Sequence, residues 1–160
     1  MPGISGGCLC GKTRYTTTSP LYGLQYCYCR TCQLVHGAPF APFTNVHRDS
    51  FQWVKNEHVK ELKLSSFATR TVCGSCHAPI TMVYHARPEE VGIVAVTVDE
   101  EFMDGVPQVQ GHIYVRGKPR WYTIGDGAKQ DWGAPESLKP LIPGMYLPAV
   151  KINPGLRVDL

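Results

Sequence analysis

Residues 73–77 of this chain read "CGSCH", a C-x-x-C turn followed directly by a histidine. Two kinds of metal site use such a run. In c-type cytochromes it attaches haem covalently, whereas in a zinc knuckle the two sulfurs supply half of a four-cysteine shell. The choice depends on where the other cysteines lie. Those cysteines also decide the fold, because a shared metal ties distant parts of a chain together.

The chain carries seven cysteines, and all of them fall into three short clusters. The clusters are "CLC" with Cys8 and Cys10, "CYCRTC" with Cys27, Cys29 and Cys32, and "CGSC" with Cys73 and Cys76. An odd number of cysteines cannot all pair as disulfides. The N-terminus "MPGISGGCLC" has neither the basic start nor the apolar run of a secretory signal. We therefore expect a reducing, cytoplasmic compartment, where clustered cysteines usually bind metal.

Coordination number divides these cysteines into a group of four and a group of three. A structural zinc is closed by four ligands, whereas a catalytic zinc has three protein ligands and one open position. The middle cluster holds three cysteines, so Cys27, Cys29 and Cys32 are predicted to bind a catalytic Zn²⁺. The remaining four are predicted to bind a second, structural Zn²⁺, and they are Cys8, Cys10, Cys73 and Cys76.

Alternatives to two zinc sites stay open at this point. Some cysteines could be buried free thiols, which pack as small hydrophobic side chains, and one four-cysteine site could leave three spare thiols. An iron–sulfur cluster also uses four cysteines, but the spacing fits neither ferredoxin pattern. Haem at Cys73, Cys76 and His77 would leave the other five cysteines unexplained. His77 is therefore interpreted as a residue of the turn.

The rest of the sequence predicts an all-β domain. Hydrophobic residues make up 43% of the 160 residues and charged residues 18%, which is typical of a globular protein. Short β-like runs alternate with Gly and Pro. The predicted strands are residues 12–18, 23–28, 42–46, 62–67, 69–72, 80–84, 91–98, 112–115 and 121–124. Residues 30–36 are predicted to form a short helix that ends at Gly37.

Charge and hydrophobicity exclude some partners, and proline content divides the chain. The net charge of +3 is small and scattered, so no nucleic-acid partner is expected. No run approaches the roughly 20 apolar residues of a membrane span.

Residues 133–160 are rich in proline yet apolar. We predict a zinc-binding domain over residues 1–132 and an irregular arm over 133–160 that packs on this domain or on a second subunit of a homodimer.

Four longer motifs carry a resemblance to a known family. They are "GGCLCGKTRY", "CYCRTCQLVHGAPF", "SSFATRTVCGSCHAPI" and "GHIYVRGKPRWYTIGDG", in that order. Together they cover about residues 3–132 and resemble the glutathione-dependent formaldehyde-activating enzyme family, which includes centromere protein V-like proteins. The resemblance implies a β-tent of folded antiparallel sheets around two zinc sites, with the same division of the cysteines. It also implies a carbon–sulfur lyase that joins formaldehyde to glutathione, giving S-(hydroxymethyl)glutathione.

Two positions depart from the family pattern. Tyr28 stands where the second cluster usually has histidine, and His77 stands where the third usually has glycine. Tyr28 is expected to lie beside the open zinc, either as a proton donor or as a packing residue, and His36 is a further candidate near that site. His112 and Trp121, in the last motif, are expected to pack on strands.

The chemistry of the three-cysteine site suggests a function and leaves two others open. A zinc with one free position can bind a thiol as thiolate or polarise a carbonyl oxygen. The sequence therefore predicts that a C–S or C–O bond of a small molecule is formed or broken, with glutathione as one candidate partner. The alternatives are a zinc enzyme of the same fold acting on another small molecule, such as a secondary metabolite, and a non-catalytic zinc-binding module for protein or chromatin contacts.

Overall fold

Short strands build two sheets in the computed structural model, which describes residues 3–142. The strands are β1 (Ser5–Gly7), β2 (Arg14–Thr17), β3 (Tyr22–Cys27), β4 (Ala41–His47), β5 (Phe51–Lys55), β6 (Val59–Leu62), β7 (Ala68–Cys73), β8 (Pro79–Tyr84), β9 (Glu90–Val94), β10 (Gly111–Ile113) and β11 (Lys129–Gln130). The smaller sheet has the order β1-β2-β5, and the larger has the order β11-β10-β3-β4-β9-β8-β7-β6. The prediction of an all-β fold is confirmed.

The larger sheet is mixed, which corrects the expectation of antiparallel sheets alone. Its strands are antiparallel from β3 through to β6, but β10 runs parallel to β3, and β11 runs parallel to β10. Parallel pairing needs a long crossover. The chain between the paired strands β3 and β10 spans residues 28–110, and its last part, with two 3₁₀ turns (Ala95–Thr97 and Glu100–Gly105), leads from β9 to β10.

The short helix lies where the sequence predicts it, and it positions two cysteines. Helix α1 (Arg30–His36) begins after Cys29, whose Sγ accepts the backbone N–H of Cys32 at 3.4 Å. It ends at Gly37, which has φ of 59° and donates its N–H to the carbonyl of Gln33. Glycine adopts this left-handed conformation without strain. No helix within residues 3–142 has the length and apolar character to cross a membrane.

Two of the predicted strands are wrong, and several strands were missed. Of residues 62–67 only Leu62 belongs to a strand, and residues 121–124 form turn and coil. There Lys118 Nζ donates to the carbonyl of Tyr122, which holds the segment as a loop, and Trp121 is 77% exposed rather than packed on a strand. The strand predicted over residues 91–98 ends at Val94, where a 3₁₀ turn begins. The missed strands are β1, β5, most of β6, and β11.

Buried side chains form two hydrophobic clusters, and each contains cysteines. The first includes Tyr15, Ile80 and Val91 and contacts Cys8 and Cys73. The second includes Ala41, Phe43, Val94 and Ile113 around Cys27 and Cys32. Three residues after position 132 pack against this second cluster, and they are Ala134, Leu138 and Ile142. The described beginning of the predicted arm therefore contacts the domain, while residues 143–160 lie outside the described range.

A 3₁₀ turn (Val115–Gly117) follows β10, and its last residue lies against the cysteine loop. A Cβ atom on Gly117 would lie 2.5 Å from the carbonyl oxygen of Tyr28. We expect Gly117→Ala to lower the free energy of unfolding by about 1–3 kcal/mol, because a backbone must move to relieve the clash. Guanidinium denaturation of the purified protein measures this. Gly125→Ala is the control, since its Cβ would meet nothing within 4 Å. Equal denaturation midpoints for the two variants would contradict this packing.

Candidate metal centres

The first cysteine group has the geometry of a closed metal site. The sulfurs of four residues lie within 4.8 Å of one another, and these residues are Cys8, Cys10, Cys73 and Cys76. The Cys8 and Cys10 sulfurs are 3.5 Å apart, and those of Cys10 and Cys73 are 3.7 Å apart. Tetrahedral zinc with bonds of about 2.3 Å would place its sulfurs roughly 3.8 Å apart. The donor set therefore fits a four-coordinate metal with no free position.

Two strand ends bring this group together. Cys8 follows β1 directly, and its Sγ accepts the backbone N–H of Thr13 at 3.3 Å. Cys73 is the last residue of β7, and its carbonyl accepts the N–H of His77 at 2.8 Å, which closes the C-x-x-C turn. These hydrogen bonds hold Cys8 and Cys73 in their turns.

His77 serves the turn and not the ligand set. Its φ is 62°, in the left-handed region, and its side chain is exposed. The grouped ligand atoms are the four sulfurs alone. The interpretation of His77 as a turn residue is confirmed. The backbone also explains why glycine suits this position, since a side chain costs about 1–2 kcal/mol in that conformation.

The second cysteine group has three members. The sulfurs of Cys27, Cys29 and Cys32 lie within 4.8 Å of one another. Cys27 is the last residue of β3, while Cys29 and Cys32 stand at the cap and in the first turn of α1. A strand end followed by a helix start thus turns three sulfurs inward. Three sulfur donors fit a metal that keeps one position for another ligand.

One thiol of this group is prepared to be a thiolate. The pKa of Cys32 is lowered well below its usual range, first by hydrogen bonds from the Cys27 and Cys29 thiols and then by the charge of Arg70. Arg70 Nη2 donates to Cys32 Sγ at 3.4 Å. The thiolate is the form of cysteine that binds metals. The group therefore offers an anionic donor within a buried setting.

The three sulfurs line a partly open cavity of about 90 Å³. Its apolar walls are Phe43, Leu64, Phe67, Met82, Ile113, Leu138 and Ile142, and its polar ones are Gln25, Thr31, Asn45, Ser65, Arg70, Tyr84, Glu90 and Tyr114. A single water molecule needs roughly 10–15 Å³ of cavity volume. The cavity thus accommodates a small molecule or the reacting end of a larger one.

Tyr28 does not lie beside this cavity, which corrects the expectation drawn from its place between two cysteines. Side chains alternate across an extended chain, so it points to the face opposite the sulfurs. The fully buried Tyr28 hydroxyl bonds to Nδ1 of His112 at 3.0 Å, and His112 Nε2 bonds to Asp126 Oδ1 at 2.8 Å. The bond from His112 lowers the pKa of Asp126. The packing role expected of His112 is confirmed, because it is 1% exposed on β10.

The other sequence candidate, His36, also lies outside the cavity lining within the described residues. Its ring packs edge-on against Phe43 with centroids 5.6 Å apart, and burial lowers its pKa. Sequence reasoning missed Arg70 and Tyr84, which do line the cavity. Arg70 was visible in the third motif, three residues before Cys73. Nothing in that motif shows that its side chain reaches the other cysteine group.

Comparison with known proteins connects this geometry to a family. The sequence model of the glutathione-dependent formaldehyde-activating enzyme family matches residues 3–117. The fold resembles the crystal structure of a Rhodobacter sphaeroides protein, with a TM-score of 0.51 and 21% sequence identity. That match covers 64% of this chain and 97% of the other. At 21% identity this match supports a shared fold and no shared function. No curated protein matches the sequence.

Replacing Tyr28 by phenylalanine tests whether its side chain faces the sulfurs or the His112 side of the cysteine loop. The change leaves the buried Nδ1 of His112 without its partner, so we expect the free energy of unfolding to fall by about 1–3 kcal/mol. Metal content should not change, because the ring points away from the sulfurs. Denaturation and elemental analysis measure the two effects. Tyr84→Phe, on the cavity wall, is the comparison. A loss of metal in Tyr28→Phe without a loss of stability would contradict this placement.

The left-handed backbone conformation of His77 predicts a substitution that raises stability, whereas Tyr28→Phe lowers it. We expect His77→Gly to stabilise the protein by about 1 kcal/mol, because glycine removes the steric cost of positive φ. Thermal unfolding at a fixed zinc concentration measures the gain. His58→Gly is the matched control, since His58 is also exposed in a turn but has no positive φ. It should be neutral or destabilising. A lower midpoint for His77→Gly than for the parent protein would show that the histidine side chain has another role.

Proposed function

We propose that this chain, which belongs to the glutathione-dependent formaldehyde-activating enzyme family, is a zinc-dependent enzyme of the carbon–sulfur lyase type acting on a thiol and a small carbonyl compound. Membership rests on the match over residues 3–117, a stretch that contains all seven cysteines. One observation carries the proposal. The three-sulfur group lines a partly open cavity, so a ligand can reach a metal held there.

The ligand sets follow from the two groups of sulfurs. In this proposal the structural zinc is held by Cys8, Cys10, Cys73 and Cys76. The catalytic zinc is held by Cys27, Cys29 and Cys32. When bound there, zinc supplies a Lewis acid and lowers the pKa of a thiol or water at its open position.

The protein's own groups orient the substrate in the cavity. Phe43, Met82 and Ile113 line it and exclude water from the reacting atoms. Tyr84 lines the cavity, and burial raises the pKa of its hydroxyl, so in this proposal it is the hydrogen-bond donor to a carbonyl oxygen. Such a donor stabilises the negative charge that develops on that oxygen when a thiol adds to the carbonyl carbon.

The size of the cavity bears on the substrate. A volume of about 90 Å³ encloses formaldehyde and the thiol end of a larger molecule. Glutathione fits this role if its peptide part remains outside the cavity.

None of the seven cysteines, all of which lie in the described part of the chain, forms a disulfide. This agrees with a proposed cytoplasmic location, where glutathione keeps thiols reduced.

A second candidate is an enzyme of the same fold with a different small-molecule substrate. Leu138 and Ile142 form part of the cavity wall but lie beyond the matched residues 3–117. They narrow the site with side chains that the family match does not include. A larger apolar electrophile in place of formaldehyde is the substrate that such walls favour. A non-catalytic module would have no use for a cavity at the three-sulfur group.

Metal content and turnover test the proposal together. We expect two zinc ions per chain in anaerobically purified protein, and one in Cys32→Ser. We also expect the parent protein to accelerate exchange between formaldehyde, glutathione and their adduct, measured by ¹³C magnetisation transfer, and Cys32→Ser to lose this effect. Ser66→Ala, outside the cavity lining, is the control for mutation as such.

This experiment has three informative outcomes. Two zincs with acceleration support the proposed reaction. Two zincs without acceleration favour the second candidate. One zinc in the parent protein would contradict the catalytic centre itself.

A further inference from the structure

Arg70 is the one cationic side chain among the described residues that line the cavity. It extends from β7, where it pairs with Met82 of β8. Its guanidinium donates to Cys32 Sγ at 3.4 Å and lies 5.8 Å from the centroid of the Phe43 ring. The group is thus held between a sulfur of the three-cysteine centre and an aromatic face.

A buried guanidinium needs a negative partner, because an unpaired charge in a low-dielectric interior is costly. Among residues 3–142, Arg70 forms no ion pair with a carboxylate. Glu90, the carboxylate on the cavity wall, instead accepts a hydrogen bond from Tyr22 at 2.8 Å and lies 3.7 Å from Arg87. The negative partner of Arg70 is therefore the sulfur group.

The charges of the centre then balance. Three thiolates and one divalent cation carry a net charge of −1, which the guanidinium brings to zero. An arginine guanidinium stays protonated in proteins, so the positive charge of Arg70 is always present. A fourth ligand that is an anion would bring the cavity to −1 with Arg70 and to −2 without it. A neutral fourth ligand changes neither total.

We propose that Arg70 is a positioning residue that makes the open position of the three-cysteine centre selective for an anionic ligand, a thiolate in place of a neutral donor. This inference rests on the proposed function, because it needs a metal at Cys27, Cys29 and Cys32. The hydrogen bond to Cys32 Sγ withdraws electron density from that thiolate. Hydrogen bonds to metal ligands tune the metal in this way. This hydrogen bond therefore restores part of the Lewis acidity that three sulfur ligands take from a metal.

Cobalt substitution tests this without an activity assay. Co²⁺ replaces zinc with the same ligands and reports on its fourth ligand through visible and sulfur-to-cobalt absorption bands. The two probes are 2-mercaptoethanol, which binds as a thiolate, and imidazole, which binds as a neutral donor. Both are titrated at one fixed pH under anaerobic conditions.

We expect Arg70→Gln to weaken 2-mercaptoethanol binding by about 10- to 100-fold, the usual effect of losing a group that supports a metal ligand. Imidazole affinity should change by less than about threefold. Arg70→Lys keeps the charge and should retain most of the preference for the thiolate. Arg48→Gln removes an equal charge from an exposed position and should behave as the parent protein.

The outcomes separate this inference from the proposed function. Parent protein that binds one Co²⁺ per chain would overturn both. Parent protein with two Co²⁺ ions, together with an Arg70→Gln variant that binds 2-mercaptoethanol as tightly as the parent, would overturn the inference and leave the proposed function standing. Imidazole binding by Arg70→Gln shows that the variant is folded at the site. If that binding is lost equally with thiolate binding, Arg70 is structural and the inference fails.

Discussion

The convergence of sulfur atoms from distant parts of the chain constrains everything else in this structure. Cys10 and Cys73 are 63 positions apart, yet their sulfurs are 3.7 Å apart. Ionised sulfurs at that distance repel one another, so the arrangement is stable as thiolates only around a cation. Ligands of this kind couple folding to metal binding. The two hydrophobic clusters add to the stability, and each includes cysteines of one sulfur group.

Strand β7 links the two sulfur groups. It carries Arg70, which reaches Cys32 of the three-cysteine group, and it ends in Cys73 of the four-cysteine group. The closed group thereby fixes the strand that delivers a cation to the open group. Behind the open group, the chain of hydrogen bonds from Tyr28 through His112 to Asp126 holds the opposite face of the cysteine loop. Both supports act from outside the ligand set, as is usual for metal centres.

The family frame and the features particular to this chain occupy different parts of the molecule. All seven cysteines and Arg70 lie within the matched residues 3–117, whereas Leu138 and Ile142 add a wall from beyond them. A shared frame with a variable wall is a common route to different substrates on one fold. In the proposed function the reaction type would be set by the three-cysteine centre, and the choice of substrate by the wall.

The sequence alone determined the local chemistry of this protein. Cysteine spacing predicts both sulfur groups, and Gly37 marks the end of the helix that presents Cys32, because metal-binding turns and helix caps depend on neighbouring residues. The all-β class follows in the same way from short apolar runs. Only the tertiary structure decided the parallel edge of the larger sheet, since pairing of β10 with β3 joins residues far apart in the chain. It alone directed Tyr28 away from the cavity and Arg70 into it. The direction of a side chain depends on strand alternation and on which strands pair, and neither is written in a motif.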